Sequence, residues 1–170
     1  MRRFAQIEPS DEHPRLDLTA HELKQGAQVI EGAEVGIQLG ARHDYKQIPI
    51  ETWRMFLSQI PGGRKVAFIG GPEERALLGE AMSPGTDLVG RTDLRGTMGA
   101  LANLKVMIGG DTGVMHLAAA VGTPTITVFG PTPAKKWGWF EPPHQVLSSP
   151  HNIITNIESE DMVGAVARVL

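Results

Sequence analysis

The sequence predicts a three-layer α/β/α domain built on a mainly parallel β-sheet. From Glu34 onwards, short apolar runs alternate with segments whose apolar residues recur at the helical period, which is the pattern of a parallel sheet with helices on both faces. Several of these runs end in glycines and pass directly into a helix, as the strand-to-helix turns of Rossmann-like folds do. The chain has 170 residues, 41% of them hydrophobic, which is enough for one such domain with a substantial core.

The elements are predicted in the following order. Residues 1–33 are polar, contain Pro9 and Pro14, and include one short helical candidate at 19–27, so we interpret them as a lead-in or linker. The Rossmann-like domain is expected at 34–170. Its strands are predicted at 35–37, 66–69, 87–89, 106–108 and 125–129. Its helices are predicted around 53–60, at 73–81, 94–104 and 113–121, and in a last segment that opens with Ser159 as N-cap.

Composition excludes several classes of function. Sixteen Lys and Arg against nineteen Asp and Glu give a net charge of -3, which argues against a nucleic-acid-binding surface. The absence of cysteine excludes disulfides, thiolate metal sites and cysteine nucleophiles. No apolar run approaches the roughly 20 residues of a spanning helix, and we find no signal-peptide segment, so we expect a cytoplasmic protein.

The richest loop follows the fourth predicted strand, where Gly109 and Gly110 lead into Asp111, Thr112 and Gly113 and then into an alanine-rich helix. Asp111 or Thr112 can cap that helix, and its free N–H groups and dipole favour an anion such as a diphosphate. By the helical period, His116 points away from the face that packs on the sheet. The alternative is a capped helix with a surface histidine; the combination of features favours a ligand site.

Three other loops carry candidate chemistry. After the first strand, Gly40 and Ala41 leave space while Arg42 and Lys46 offer cations to a phosphate, although a solvated basic loop fits as well. After the second strand, residues 70–75 combine glycines with Glu73 and Glu74, which could accept hydrogen bonds from ribose hydroxyls. Taken alone, acids in a first helical turn are more simply explained by the helix dipole. Residues 129–140 either cover a ligand or another lobe, or form a stiff turn.

Together these loops resemble glycosyltransferase family 9, the lipopolysaccharide heptosyltransferases. The resemblance runs from about 35 to 170. It consists of four motifs in order, which are Gly40-Ala41 with Lys46 and Pro49, Gly71-Pro72-Glu73-Glu74, Asp111-Thr112-Gly113 with His116, Ala119 and Ala120, and Phe129-Gly130-Pro131-Thr132-Pro133. Two positions depart from the family pattern. Ile48 stands where many members have tryptophan, and Arg42 stands where some have threonine.

The resemblance implies a role for each candidate residue. Lys46 would pair with the diphosphate, and Glu74 or Glu73 would hold the ribose hydroxyls. Thr92 would lie beside the adenine. Asp111 would contact the sugar. Thr112 and Gly113 would donate to phosphate, and His116 would line the same pocket; Arg42 is the second candidate cation. No metal and no cofactor are expected.

The resemblance also implies an architecture and a reaction. Family members have two Rossmann-like lobes, the GT-B architecture, and this chain matches the C-terminal lobe, which binds the donor, ADP-heptose. The acceptor site and the catalytic base are then expected in an N-terminal lobe or partner chain, and the acceptor would bring the enzyme to the inner membrane. Two alternatives stay open, namely a nucleotide-sugar-binding module without activity and a nucleotide-sugar epimerase-like enzyme.

Overall fold

The computed structural model describes residues 14–81 and 83–170. The strands are β1 (Val35–Ile37), β2 (Val66–Phe68), β3 (Thr86–Asp87), β4 (Val106–Gly110), β5 (Thr125–Phe129) and β6 (Gln145–Ser148). The helices are α1 (Ala20–Val29), α2 (Ile50–Ser58), α3 (Arg75–Ala81), α4 (Leu94–Ala102), α5 (Gly113–Ala120), α6 (Ala134–Trp137) and α7 (Ser159–Val169).

The six strands form one sheet in the order β3-β2-β1-β4-β5-β6, and every neighbouring pair is parallel. The predicted α/β fold is therefore confirmed. The chain moves outward from β1 to β3 and then returns to the other side of β1 to form β4. The connections from β1 and β4 leave the sheet towards opposite faces, so a crevice opens between their carboxyl ends, and this is where such sheets bind ligands.

Two hydrophobic cores cover the two faces of the sheet. One core contains Val66 and Phe68 and joins the sheet to α2, α3 and α7, with Trp53 fully buried. The other contains Ala67 and Ile69 and joins the sheet to α4 and α5. Successive residues of one strand thus enter opposite cores, which explains why these strands read as continuous apolar runs rather than alternating ones.

The helix predicted in the lead-in is α1, and Thr19 caps it in a capping box with Glu22. α1 packs on α4 at a pair of glycines. A Cβ on Gly26 would lie 1.9 Å from the carbonyl oxygen of Gly99, so the backbones meet with no space for a side chain. Residues 1–13 of the lead-in lie outside the described part of the chain, and the division of the chain after residue 33 stays a prediction.

The structure differs from the prediction in several places, and the short helix α6 is one element that was not predicted. β6 was not predicted, because this edge strand is half-buried and its sequence, Gln145–Ser148, lacks a continuous apolar run. β3 is shorter than the predicted strand and ends at Asp87. The N-cap of the last helix is Glu158 rather than Ser159, which is the first helical residue. Within the described ranges, every helix is too short or too polar to cross a membrane.

Candidate functional site

A cavity of about 910 Å³ lies at the carboxyl end of the sheet, where β1 and β4 diverge. Its walls come from the loop after β1, the turn after β2 and the start of α5. The residues that line it are Gln38, Gly40, Ala41, Arg42, Asp44, Gln47, Gly71, Glu73, Glu74, Leu77, Thr112, Gly113, Val114 and Leu117. A second cavity, of about 550 Å³, lies beside the start of β2, and its lining contains none of the predicted site residues.

Glu74 is a buried carboxylate that joins two walls of this cavity. It is 7% exposed, and it accepts hydrogen bonds from the Gln38 side chain at 3.1 Å and from the Gly40 N–H at 3.0 Å. A Cβ on Gly40 would lie 2.7 Å from the Glu74 Cγ, and one on Gly70 would lie 2.5 Å from its Oε2. These glycines therefore make room for the glutamate, and its side chain fills the space that the sequence predicted beside Gly40.

The third wall is tied to the same carboxylate through Gln38. This amide is 5% exposed, and it accepts a hydrogen bond from the Thr112 hydroxyl while donating to Glu74. Thr112 occupies the N-cap position of α5. Gln38 was not among the predicted site residues, although a polar residue directly after a buried strand at the switch point is a signal for a ligand site.

Beside the cavity, Asp111 holds the cation of the first loop. Lys46 ends a 3-10 turn, Asp44–Lys46, and its Nζ lies 3.1 Å from Asp111 Oδ2. The side chains are 21% and 10% exposed, so this ion pair is only partly screened by water. Lys46 and Asp111 adjoin the cavity, because the residues that follow them in the sequence, Gln47 and Thr112, line it. We call Lys46, Asp111 and His116 the cluster.

His116 completes the cluster, with its Nε2 3.7 Å from Asp111 Oδ1. On its other side, the indole N–H of Trp139 donates to His116 Nδ1 at 3.1 Å. An indole nitrogen can only donate, so Nδ1 is the acceptor, and the neutral imidazole carries its proton on Nε2, towards Asp111. The loop after β5, predicted as either a cover or a stiff turn, thus reaches the predicted site through Trp139.

The remaining candidates fall into two groups. Arg42 and Glu73 are exposed and lie on the rim of the cavity, and Gly113 faces open space, since a Cβ there would meet no atom within 4 Å. Thr92 lies apart from the cavity lining, at the start of α4, where its hydroxyl is 2.7 Å from that of Thr97. The structure therefore gathers eight of the nine predicted residues around one crevice and its adjoining cluster.

Comparison with known proteins decides the family. The model of glycosyltransferase family 9 (heptosyltransferase) matches residues 3–166. The chain belongs to glycosyltransferase family 9. The resemblance predicted from four motifs is confirmed, and the match begins well before the stretch from 35 to 170 on which those motifs lie.

One curated relative is the lipopolysaccharide heptosyltransferase 1 of Escherichia coli K12, which is 33% identical over 122 residues, covering 69% of this chain and 38% of the relative. The family 9 glycosyltransferase of Veillonella parvula superposes with a TM-score of 0.79 at 15% identity, over 96% of this chain and 56% of that one. The E. coli heptosyltransferase WaaC, solved with ADP, gives a TM-score of 0.68 at 24% identity, over 83% and 45%. The chain thus spans well under half of the curated relative.

Proposed function

We propose that this chain is the donor-binding lobe of an inverting glycosyltransferase and that its donor is a nucleoside diphosphate sugar, ADP-heptose. The observation that carries the proposal is the meeting of the loops after β1, β2 and β4, with their family motifs, around one cavity at the switch point. The structure of WaaC with ADP supports adenine nucleotide as the ligand class. The names of the curated relatives support a role in building the lipopolysaccharide core.

The diphosphate is assigned to the start of α5 and to Lys46. The first N–H groups of a helix have no partner within the helix, and the dipole is positive there, so Gly113 and its neighbours form an anion site. The open space in front of Gly113 permits close approach of a phosphate. Lys46 is held 3.1 Å from Asp111, so an incoming diphosphate competes with this carboxylate for the same ammonium group.

The nucleoside is assigned to the β2 side of the cavity. Glu73 and Glu74 form its acidic wall, and an ionised carboxylate has about four acceptor positions, of which Glu74 uses two within the protein. Acceptors suit the ribose hydroxyls, which are donors. Arg42 on the rim is the second cation in reach of the phosphates. Thr92 lies outside the cavity lining, and its assignment to the adenine rests on the family resemblance alone. Asp111 and His116 are assigned to the sugar.

The chemistry proposed is a displacement at the anomeric carbon. A base outside these residues takes the proton of the acceptor hydroxyl, the hydroxyl oxygen forms the new bond, and the nucleoside diphosphate leaves with the bonding electron pair. Lys46 and the α5 N–H groups stabilise the charge that develops on the leaving diphosphate, which is the electrostatic part of catalysis. The acceptor lobe or partner chain supplies the base, and we place the reaction in the cytoplasm, at the inner membrane that carries the acceptor.

Calorimetry with ADP tests the proposal. Lys46→Ala is expected to weaken ADP binding more than tenfold, or about 1.4 kcal/mol, because the diphosphate loses its partly buried cation. The matched control is Lys24→Ala, which removes an equal charge from the exposed surface of α1 and should leave the affinity unchanged. If the parent chain binds ADP no better than UDP or GDP, the adenine assignment is wrong. Equal affinity in parent and Lys46→Ala would instead remove Lys46 from the site.

A further inference from the structure

The three walls of the cavity are joined by one chain of hydrogen bonds. The Thr112 hydroxyl is bonded to Gln38 Oε1, and Gln38 Nε2 is 3.1 Å from Glu74 Oε1. The second carboxylate oxygen accepts the N–H of Gly40 at 3.0 Å. Gln38 and Glu74 are buried, so water has little access to replace these bonds.

The Glu74 carboxylate determines which group donates and which accepts in each of these hydrogen bonds. An ionised carboxylate only accepts hydrogen bonds, so the Gln38 atom beside Glu74 is the NH₂ group and the opposite atom is the carbonyl oxygen. A carbonyl oxygen only accepts, so the bond between Gln38 and Thr112 is donated by the threonine. The single proton of the Thr112 hydroxyl is therefore committed to the protein.

Because the hydroxyl proton of Thr112 is used in the hydrogen bond to Gln38, the side chain can only accept a hydrogen bond from a ligand. Its hydroxyl has lone pairs left and no proton, so it suits a ligand that donates, and it has nothing to offer the oxygen of a diphosphate. The N–H groups at the start of α5 and Lys46 remain the donors of the site. The crevice is thus divided into a donating part and an accepting part, and Thr112 contributes to both, with its backbone in one and its side chain in the other.

We propose that the Thr112 hydroxyl accepts a hydrogen bond from a hydroxyl of the donor substrate, on its ribose or on its sugar, and that Gln38 is the positioning residue that orients it. This rests on the proposed function. The family resemblance implied that Thr112 donates to phosphate; under this assignment its backbone keeps that role, and its hydroxyl accepts from a substrate hydroxyl. Thr112 would then help to determine which hydroxylated ligand binds, while the N–H groups at the start of α5 and Lys46 bind the phosphate.

The test compares pyrophosphate, ADP, 2′-deoxy-ADP and ADP-heptose on the parent, Thr112→Val and Thr112→Ser. Valine matches threonine in shape but lacks the hydroxyl, whereas serine retains it. Thr112→Val is expected to bind pyrophosphate within about twofold of the parent and to lose about fivefold or more for the ligand that carries the recognised hydroxyl. Thr112→Ser is expected to keep the parent's affinity for that ligand.

The ligand series identifies the source of the hydroxyl. If it is the ribose 2′-hydroxyl, Thr112→Val weakens ADP but not 2′-deoxy-ADP; a loss shared by both points to the 3′-hydroxyl, and a loss confined to ADP-heptose points to the sugar. Equal losses for pyrophosphate and ADP, or no loss for any ligand, would overturn the inference. Failure of the folded parent to bind any of the four would instead count against the proposed function.

Gln38→Met supplies the second variant. It removes the acceptor of the Thr112 proton, so the binding of hydroxylated ligands should weaken while pyrophosphate binding does not. Combined with Thr112→Val, its effect on the recognised ligand should be smaller than the sum of the single effects, because both changes act on one hydroxyl. Full additivity would show that Gln38 does not act through Thr112.

Discussion

At the scale of single residues, the central feature of the site is the Asp111 carboxylate and the positively charged or polar groups around it. This carboxylate lies at the entry to α5, between the ammonium group of Lys46 and the imidazole of His116. The start of the helix and the lysine both stabilise its negative charge. In the proposed function the same two features bind the diphosphate, so the Asp111 carboxylate would compete with that ligand for them.

This arrangement predicts the effect of Asp111→Asn on ADP binding. Removing the competing charge leaves Lys46 available to the diphosphate, so ADP should bind about threefold to tenfold more tightly, or about 0.6–1.4 kcal/mol. Isothermal titration calorimetry at constant ionic strength measures the change. Asp161→Asn, an exposed position on α7, is the control for the loss of one negative charge from the whole protein. Weaker ADP binding by Asp111→Asn would show that the carboxylate supports the diphosphate rather than competing with it.

The sequence predicted the residues of this site better than their contacts. Lys46, Asp111 and His116 stood out because they follow buried strands or open a helix, and parallel strands bring such positions to one edge. The hydrogen bond from Trp139 to His116 joins the segment after α6 to helix α5, and no local pattern encodes it. Gln38 was missed because its role depends on a carboxylate 36 residues away, which no local pattern around the end of β1 reveals.

At the scale of elements, the apolar runs located β1, β2, β4 and β5 because these four strands are buried on both faces. β3 is only half-buried, and it overlaps its predicted run at Asp87 alone. The edge strand β6 lacks that signature, since its residues are only half-buried or exposed. The helix α1 was visible from its cap and period, but its packing was not. Its contact with α4 depends on two backbones approaching at Gly26 and Gly99, which sequence spacing does not reveal.

The glycine contact predicts a large difference between two Gly→Ala substitutions. A Cβ on Gly26 would lie 1.9 Å from the Gly99 carbonyl oxygen, so Gly26→Ala must push α1 away from α4 and should cost about 1–3 kcal/mol of unfolding free energy. Gly79 lies within α3, and a Cβ there would meet no atom within 4 Å. Gly79→Ala should therefore stabilise the protein by about 0.4–1 kcal/mol.

Urea unfolding of the two glycine variants and the parent measures both effects. The two substitutions make the same chemical change in two helices, so their difference isolates the packing contact from helix propensity. Equal stability of Gly26→Ala and the parent would show that α1 can move without cost and that the close approach of the helices contributes nothing to the fold.

At the scale of the whole molecule, ion pairs connect segments that are distant in sequence. At the amino end of the sheet, Glu34 binds both Lys105 and Arg64, and hydrogen bonds from these two cations hold the pKa of its carboxyl below the usual range. This cluster ties the segments entering β1, β2 and β4 together at the end of the sheet opposite the crevice.

A second long-range ion pair joins α1 to α4 and should make their association sensitive to acid. Arg95 binds both carboxylate oxygens of Glu22, and these bonds, with those from Thr19, lower the pKa of Glu22 from 4.5 to about 2. Because the folded-state pKa is lowered, the stabilisation is fully present above about pH 4.5 and is lost as the pH falls towards 2.

Glu22→Gln should therefore lower the melting temperature at neutral pH, and the difference in melting temperature from the parent should narrow steadily below about pH 4.5. Since Glu34 keeps its partners in both proteins, the narrowing reports on Glu22 alone. If the difference in melting temperature between the parent and Glu22→Gln stays constant down to about pH 3, this ion pair does not hold α1 in place.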